Sequence, residues 1–237
     1  MNIQFNDWLA GIIDGSGSFC FKKKSPSCLI HINTRDDYVL RLIRNKVGGT
    51  IKLKVRSNSV QFSLSETTGL LSLVYLINGR LHCSDRLNEF KKLCFLLNIR
   101  FIYPKVLTLR NAWFAGFFNV SNRIVIDFNS KFPSVKVYIK KKKALDPTFF
   151  LMNGYSTSYC YLYGSFYFFF FRKRNILTLL KYLEKFSFDL STIFLANIIK
   201  EFYFLRRLNS HKKKNISLNS FWRFLELKWS LIYKRKF

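Results

Sequence analysis

The chain carries one element twice. The stretch "NDWLAGIIDGSG" at 6–17 returns as "NAWFAGFFNVSN" at 111–122, a shift of 105 residues that pairs Asn6 with Asn111, Trp8 with Trp113, Ala10 with Ala115 and Gly11 with Gly116. Self-similarity at a fixed shift marks a duplication, and it constrains the fold more than any other feature: both copies must build the same unit. Ala10, Gly11, Ala115 and Gly116 stand on stretches that are otherwise apolar nearly all round, the pattern of buried helices whose small residues let two backbones approach. The repeat therefore predicts two helices packed on each other.

After Gly17 the period changes from helical to two. Phe19 and Phe21 alternate with Cys20, Lys22 and Lys24, Ile30 and Ile32 with His31 and Asn33, Leu53 and Val55 with Lys52, Lys54 and Arg56, and Phe62 and Leu64 with Gln61 and Ser63. Alternation of this kind predicts strands with one apolar and one polar, mostly basic, face. Between them "DDYVLRLIRNKVGG" starts on acids and stops at Gly48 and Gly49, and "TTGLLSLVYLI" follows the fourth strand, both reading as helices. The second half predicts strands near 123–129, 135–140, 156–163 and 165–171, with Asp127, Asn129, Lys136, Tyr138 and Lys140 on the polar face. Its middle helix is poorly written, since Asp146 and Pro147 leave only "PTFFLMNGY" for it; the end of the chain reads as three amphipathic helices.

Charge bounds the partners. The 40 Lys and Arg against 13 Asp and Glu give a net charge of +27, far more than solubility needs and suited to neutralising phosphates. Residues 1–110 hold 17 basic and 7 acidic groups, and residues 111–237 hold 23 and 6, so both halves are candidates for contact with a polyanion. The runs at 22–24, 140–143, 172–174, 212–214 and 234–236 abut apolar segments instead of forming one tail, so a folded scaffold presents them. A membrane is the rival polyanion, but "FYFFFF" at 166–171 is closed off by Arg172, Lys173 and Arg174, and a spanning helix needs about 20 apolar residues. The five cysteines show no CxxC pairing, which supports neither a disulfide framework nor a zinc site and fits a reducing compartment. Abundant Phe, Lys, Ile, Asn and Tyr beside few Gly and Pro suit an A- and T-rich organellar gene, and the first helix starts within a few residues of Met1. The expected location is therefore the mitochondrion, or else a plastid, with the protein made inside the organelle.

With these residues in place the chain resembles the LAGLIDADG homing endonucleases and maturases of the monomeric, two-repeat type. "LAGIIDGSG" at 9–17 and "FAGFFNVSN" at 114–122 occupy the two motif positions, and "LNEFKKLCFLLNI" and "IKEFYFLRRL" resemble the helices that follow each repeat. The resemblance implies an α+β fold of two pseudo-symmetric αββαββα repeats, residues 1–105 and 106–237, whose paired antiparallel sheets form a saddle and whose motif helices meet at the pseudo-dyad. It also implies a metal-binding acid at the eighth motif residue of each copy. Here those positions are Ser16 and Ser121, and a neutral hydroxyl is a weak ligand for a hard divalent cation. Asp14 lies at the helix end, where the family's acid is not the metal ligand, and Asn119 is its neutral counterpart. Arg86 stands where the family carries a basic residue near the last helices of a repeat, whereas Ser191 to Phe194 are neutral.

These readings lead to one expectation: a protein that no longer cuts, with no catalytic residue, metal or cofactor, binding structured RNA as a component of the organellar ribosome. Its expected partners are ribosomal RNA and neighbouring ribosomal proteins, with no membrane and no obligate homo-oligomer. The alternatives are a splicing maturase, or a homing endonuclease, active or relic, on double-stranded DNA. Strands dominated by Lys and Arg, with Tyr and Phe available to stack on unpaired bases, lean toward RNA. The residues expected to bind are Lys22, Lys24, His31, Lys52, Lys54 and Arg56 in the first half and Lys136 and Lys140 in the second, with Arg172, Lys173, Arg174, Lys212, Lys213 and Lys214 outside the sheets.

Overall fold

A computed structural model of the chain describes residues 3–22, 25–33, 37–54, 59–141, 158–162, 165–170, 172–188, 190–212 and 216–233. The first half runs α1 (Ile3–Ser16), β1 (Gly17–Lys22), β2 (Ser25–Asn33), α2 (Asp37–Val47), β3 (Thr50–Lys54), β4 (Ser59–Leu64), α3 (Thr67–Ile77) and α4 (Ser84–Leu96). The second runs α5 (Trp113–Ser121), β5 (Asn122–Asp127), β6 (Ser134–Lys141), β7 (Ser158–Leu162), β8 (Ser165–Phe170), α6 (Lys173–Phe186), α7 (Leu190–Arg207) and α8 (Ile216–Tyr233). The first half thus follows the expected order through its four strands and closes with two helices, α3 and α4, where the repeat order gave one, and the second half ends in the three helices expected. The stretch "PTFFLMNGY" lies outside the described residues.

Both sheets are antiparallel and share one topology, β1-β2-β4-β3 and β5-β6-β8-β7. The pleat sorts the side chains: Cys28, Ile30 and Ile32 of β2, Val60, Phe62 and Leu64 of β4, and Ile124, Ile126, Val135, Val137 and Ile139 of the second sheet are all buried. Helices cover these inner faces. On α2, Val39, Leu40, Ile43 and Val47 are buried while Asp37 in the first turn and Arg44 and Lys46 in the last complement the helix dipole. Gly48 then takes φ +77°, a left-handed conformation that ends the helix.

The two motif helices form the centre. Trp8 and Trp113 are completely buried, and burying a side chain of that size contributes about 1.5–3 kcal/mol or more. A methyl group on Gly11 would lie 2.7 Å from the backbone nitrogen of Phe117 and closer still to the carbonyl oxygen of Trp113. On Gly116 it would lie 2.8 Å from the carbonyl carbon of Trp8 and inside contact distance of its oxygen. The approaches are reciprocal, as the helix packing read from the repeat requires and the pseudo-dyad implied by the resemblance describes. Residues 97–112 link the halves, pinned by Asn78, whose Nδ2 donates to Arg100 O and whose Oδ1 accepts from Ile102 N, both at 2.9 Å.

Candidate nucleic-acid interface

Each motif helix passes directly into the first strand of its sheet, and the serine in question is the last helical residue of both. Ser16 Oγ donates to Ile12 O at 3.2 Å, and Ser121 Oγ donates to Phe117 O at 2.5 Å. The two bonds are related by the same shift of 105 residues. Both hydroxyls are folded back onto the preceding turn, a bond Ser makes readily because its side chain is short. Buried Asp14 accepts on Oδ2 from His82 N at 2.7 Å and from Trp113 Nε1 at 2.9 Å, so it ties α1 to α5 and to the segment before α4. At the pseudo-symmetric place neither Trp8 Nε1 nor Asn119 Nδ2 has a hydrogen-bond partner among the described residues, and two donors cannot pair with each other. Asn119 Oδ1 instead accepts from Thr192 Oγ1 at 3.4 Å. Asp127 is exposed and accepts from Asn129 N at 3.2 Å and Ser130 N at 3.1 Å, closing the turn after β5. Among the described residues there is no cluster of three His, Cys, Asp or Glu side chains.

Arg86 does not stand free as a basic group. It pairs with Glu89 of the same helix, and Glu89 Oε2 also accepts from Phe19 N at 2.8 Å, which fixes α4 to the edge strand β1. Asp7 pairs with Arg80 in the same region. Arg86 and Glu89 are three residues apart on one helix, but the Phe19–Glu89 and Asp7–Arg80 contacts join residues 70 and 73 positions apart and were not legible in sequence.

The outer face of the first sheet differs from expectation in composition. Register places His31 opposite Gln61 and Gln61 opposite Lys52; it likewise joins Asn33 to Ser59 and Ser59 to Lys54. Leu29 pairs with Ser63 and Cys20 with Ser27 in the same alternation. The central strands β2 and β4 thus contribute Ser27, His31, Asn33, Ser59, Gln61 and Ser63, which are neutral hydrogen-bonding groups. The lysines of this face belong to the edge strands, Lys22 to β1 and Lys52 and Lys54 to β3. A face dominated by Lys and Arg is therefore replaced by a mixed one with a cationic border; the period-two reading had counted the lysines without knowing which strands were central. His31 is exposed, and its pKa is lowered from the ordinary value, first by partial burial and then by the charge of Lys54. It is neutral at pH 7.

On the second sheet, register sets Arg123 opposite Tyr138 and Val125 opposite Lys136, which is exposed, and pairs Lys140 with Tyr167. Lys136 and Lys140 thus share a sheet face, as expected. Asn129 does not belong to it: it lies past β5 and its Nδ2 donates to Glu226 Oε1 at 2.9 Å, toward α8. Arg172, Lys173 and Arg174 are exposed at the start of α6, where Lys173 Nζ lies 5.4 Å from the ring centre of Tyr203 on α7, in the helical layer. Lys212 is exposed just after α7, and its backbone nitrogen donates to Asn209 O. Lys24, Arg56, Lys213 and Lys214 lie outside the described residues. Among the described residues, the structure therefore places Lys22, His31, Lys52, Lys54, Lys136 and Lys140 on strands of the two sheets and Arg172, Lys173, Arg174 and Lys212 at the ends of helices. No described helix is long and apolar enough to cross a membrane.

No family model matches the chain. Among curated proteins it is 39% identical over 153 residues to the intron-encoded RNA maturase bI4 of Saccharomyces cerevisiae, an alignment covering 63% of this chain and 24% of that one. It is 28% identical over 238 residues to the intron-encoded DNA endonuclease ai2b of Dictyostelium discoideum, covering 94% of this chain and 88% of that protein. The chain thus spans about a quarter of the length of the yeast maturase (24%). Among solved structures the LAGLIDADG meganuclease I-AabMI, bound to uncleaved DNA, superposes with a TM-score of 0.70 at 14% identity over 94% of this chain and 98% of its own. The fold is that of the LAGLIDADG homing endonucleases. At the two motif positions stand "LAGIIDGSG" and "FAGFFNVSN", with the glycines of the close helix contact, Gly11 and Gly116, present and a serine at each eighth residue.

Proposed function

We propose that this LAGLIDADG protein binds intron RNA as a splicing maturase in the mitochondrion and does not cleave nucleic acid. The observation that carries the proposal is the pair of hydroxyls at Ser16 and Ser121, each turned onto its own helix at the positions where the family holds metal. A hard cation prefers charged oxygens, and metal-assisted phosphodiester cleavage depends on ions fixed at the scissile phosphate. The one carboxylate in these two helix ends, Asp14, is already committed to His82 and Trp113. The likeness to an intron-encoded RNA maturase supports intron RNA as the ligand over ribosomal RNA, for which charge alone argued. The relatives' intron-encoded character likewise supports an organellar gene.

The test has two arms. With magnesium or manganese the purified protein is expected to leave duplex DNA intact, and metal-dependent cuts at a defined site would refute the inactive reading. RNA crosslinked to the protein in its source organelle is expected to map to one intron. Enrichment of ribosomal RNA would restore the ribosomal reading. A relic that binds duplex DNA is the second reading, favoured by the neutral hydrogen-bonding groups of β2 and β4, because a face that mixes such groups with lysines offers the variety of donors and acceptors that base edges in a groove require. Preference for one duplex sequence over folded RNA in a competition assay would establish it.

A further inference from the structure

On α8, Ile216, Phe221, Phe224, Leu227 and Leu231 are 59–87% exposed. At 3.6 residues per turn they share one side of the helix. Trp222, Leu225 and Trp229, on the other side, are buried. The helix therefore carries two apolar faces, and the fold of this chain uses one. Beside it Phe204 on α7 and Leu208 just past its end are exposed, three and seven residues on from Glu201. Lys228 Nζ meets Glu201 Oε2 at 3.1 Å and lies 5.7 Å from the ring centre of Phe194, so the two apolar faces border each other across this ion pair. A contiguous exposed apolar patch edged by polar groups marks a contact surface. Its edge is cationic: Arg207 and Arg223 are exposed and neither has an ion pair among the described residues, while Glu226 is held by Asn129.

We propose that this face docks an amphipathic helix of a protein partner whose apolar stripe is bordered by carboxylates. Phe and Arg around a desolvated centre is the composition of protein interfaces, and acidic borders complement Arg207 and Arg223. A second copy is a poor occupant, because a self-complementary contact would set these arginines against their own kind between two chains of net charge +27. Nucleic acid gains nothing from Ile216, Leu227 and Leu231, which offer neither a donor nor a ring to stack. An anionic bilayer is opposed by the Glu201 carboxylate, whose side chain is 38% exposed within the patch.

Fluorescence anisotropy with the full chain and two labelled peptides tests the proposal. One peptide is a Leu- and Glu-rich amphipathic helix; the other has the same residues scrambled, so that charge is equal and only the stripe is lost. The ordered peptide is expected to bind about tenfold more tightly or better. That preference is expected to vanish in the variant Phe224→Ser, Leu227→Ser, Leu231→Ser, with circular dichroism and melting unchanged because all three side chains are on the surface. Equal binding of the two peptides overturns the proposal, as does a preference that survives the triple substitution. It is also overturned if the substitution instead abolishes a concentration-dependent dimer in sedimentation, binding to phosphatidylglycerol-containing vesicles, or binding to poly(U). Should the variant fail to fold, the comparison of ordered and scrambled peptides on the unaltered chain decides alone.

Discussion

At the scale of single residues, the end of the first motif helix shows how one carboxylate can be present and still be unavailable for chemistry. Asp14 satisfies two donors on two other segments, His82 N and Trp113 Nε1, inside a buried setting. Replacing it with Ala leaves both donors buried and unpaired. The expected loss is about 2–4 kcal/mol, read as a lower midpoint in urea unfolding with an unchanged slope. His31 makes a different kind of prediction. Its lowered pKa leaves it neutral at pH 7, and a phosphate brought beside it favours the imidazolium. Binding then takes up a proton, so affinity for nucleic acid is expected to rise as pH falls from 7 toward 5. His31→Gln removes that part of the rise; a profile identical to that of the unaltered chain would show that His31 does not face the ligand. Burial also pushes the Cys28 thiol up to about 12 and the Cys94 thiol up to about 11, so neither presents a thiolate at neutral pH.

Among the elements, α1 and α5 carry the argument, because their contact is where duplication and packing coincide. The helices touch backbone to backbone at Gly11 and Gly116, and a methyl group on either meets main chain that cannot rotate away. Gly11→Ala and Gly116→Ala are each expected to cost 3 kcal/mol or more, on the order of the largest single-site effects. Gly48→Ala is the control: its φ is +77° but no atom lies within 4 Å of the added carbon, so only the backbone strain of about 1 kcal/mol applies. Thermal or urea melts of the three variants check the order. If Gly48→Ala is as harmful as the other two, close approach is not what selects glycine in the motif helices. The sheets show the complementary lesson. Alternation identified which residues of each strand face outward, but which strands lie at the edges was decided by the crossover through α2, which places β3 beyond β4.

For the whole molecule, the two halves are joined by a linker and by the α1–α5 contact, and the second of these is the stronger. Lys105 is exposed in the linker, so limited trypsin treatment is expected to cut there. The fragments should then migrate as two bands in denaturing gels and as one species in gel filtration, because Trp8 and Trp113 remain buried between them. Two separate native species would mean that the linker, not the helix pair, holds the halves together. By itself the sequence determined the duplication, the small residues of the helix pair, the order of the strands in each half, the excess of positive charge and the absence of both motif acids. All of these are local patterns or identities that need no knowledge of distant neighbours. The tertiary structure alone decided what depends on contacts between residues far apart in the chain: the partners of Asp14, the bond from Phe19 N to Glu89, the neutral centre and cationic border of the first sheet face, and the second apolar face of α8. A helical stripe reads the same whether it is buried or bare, and only the packing of the rest of the chain leaves Phe224 in water while it covers Trp222.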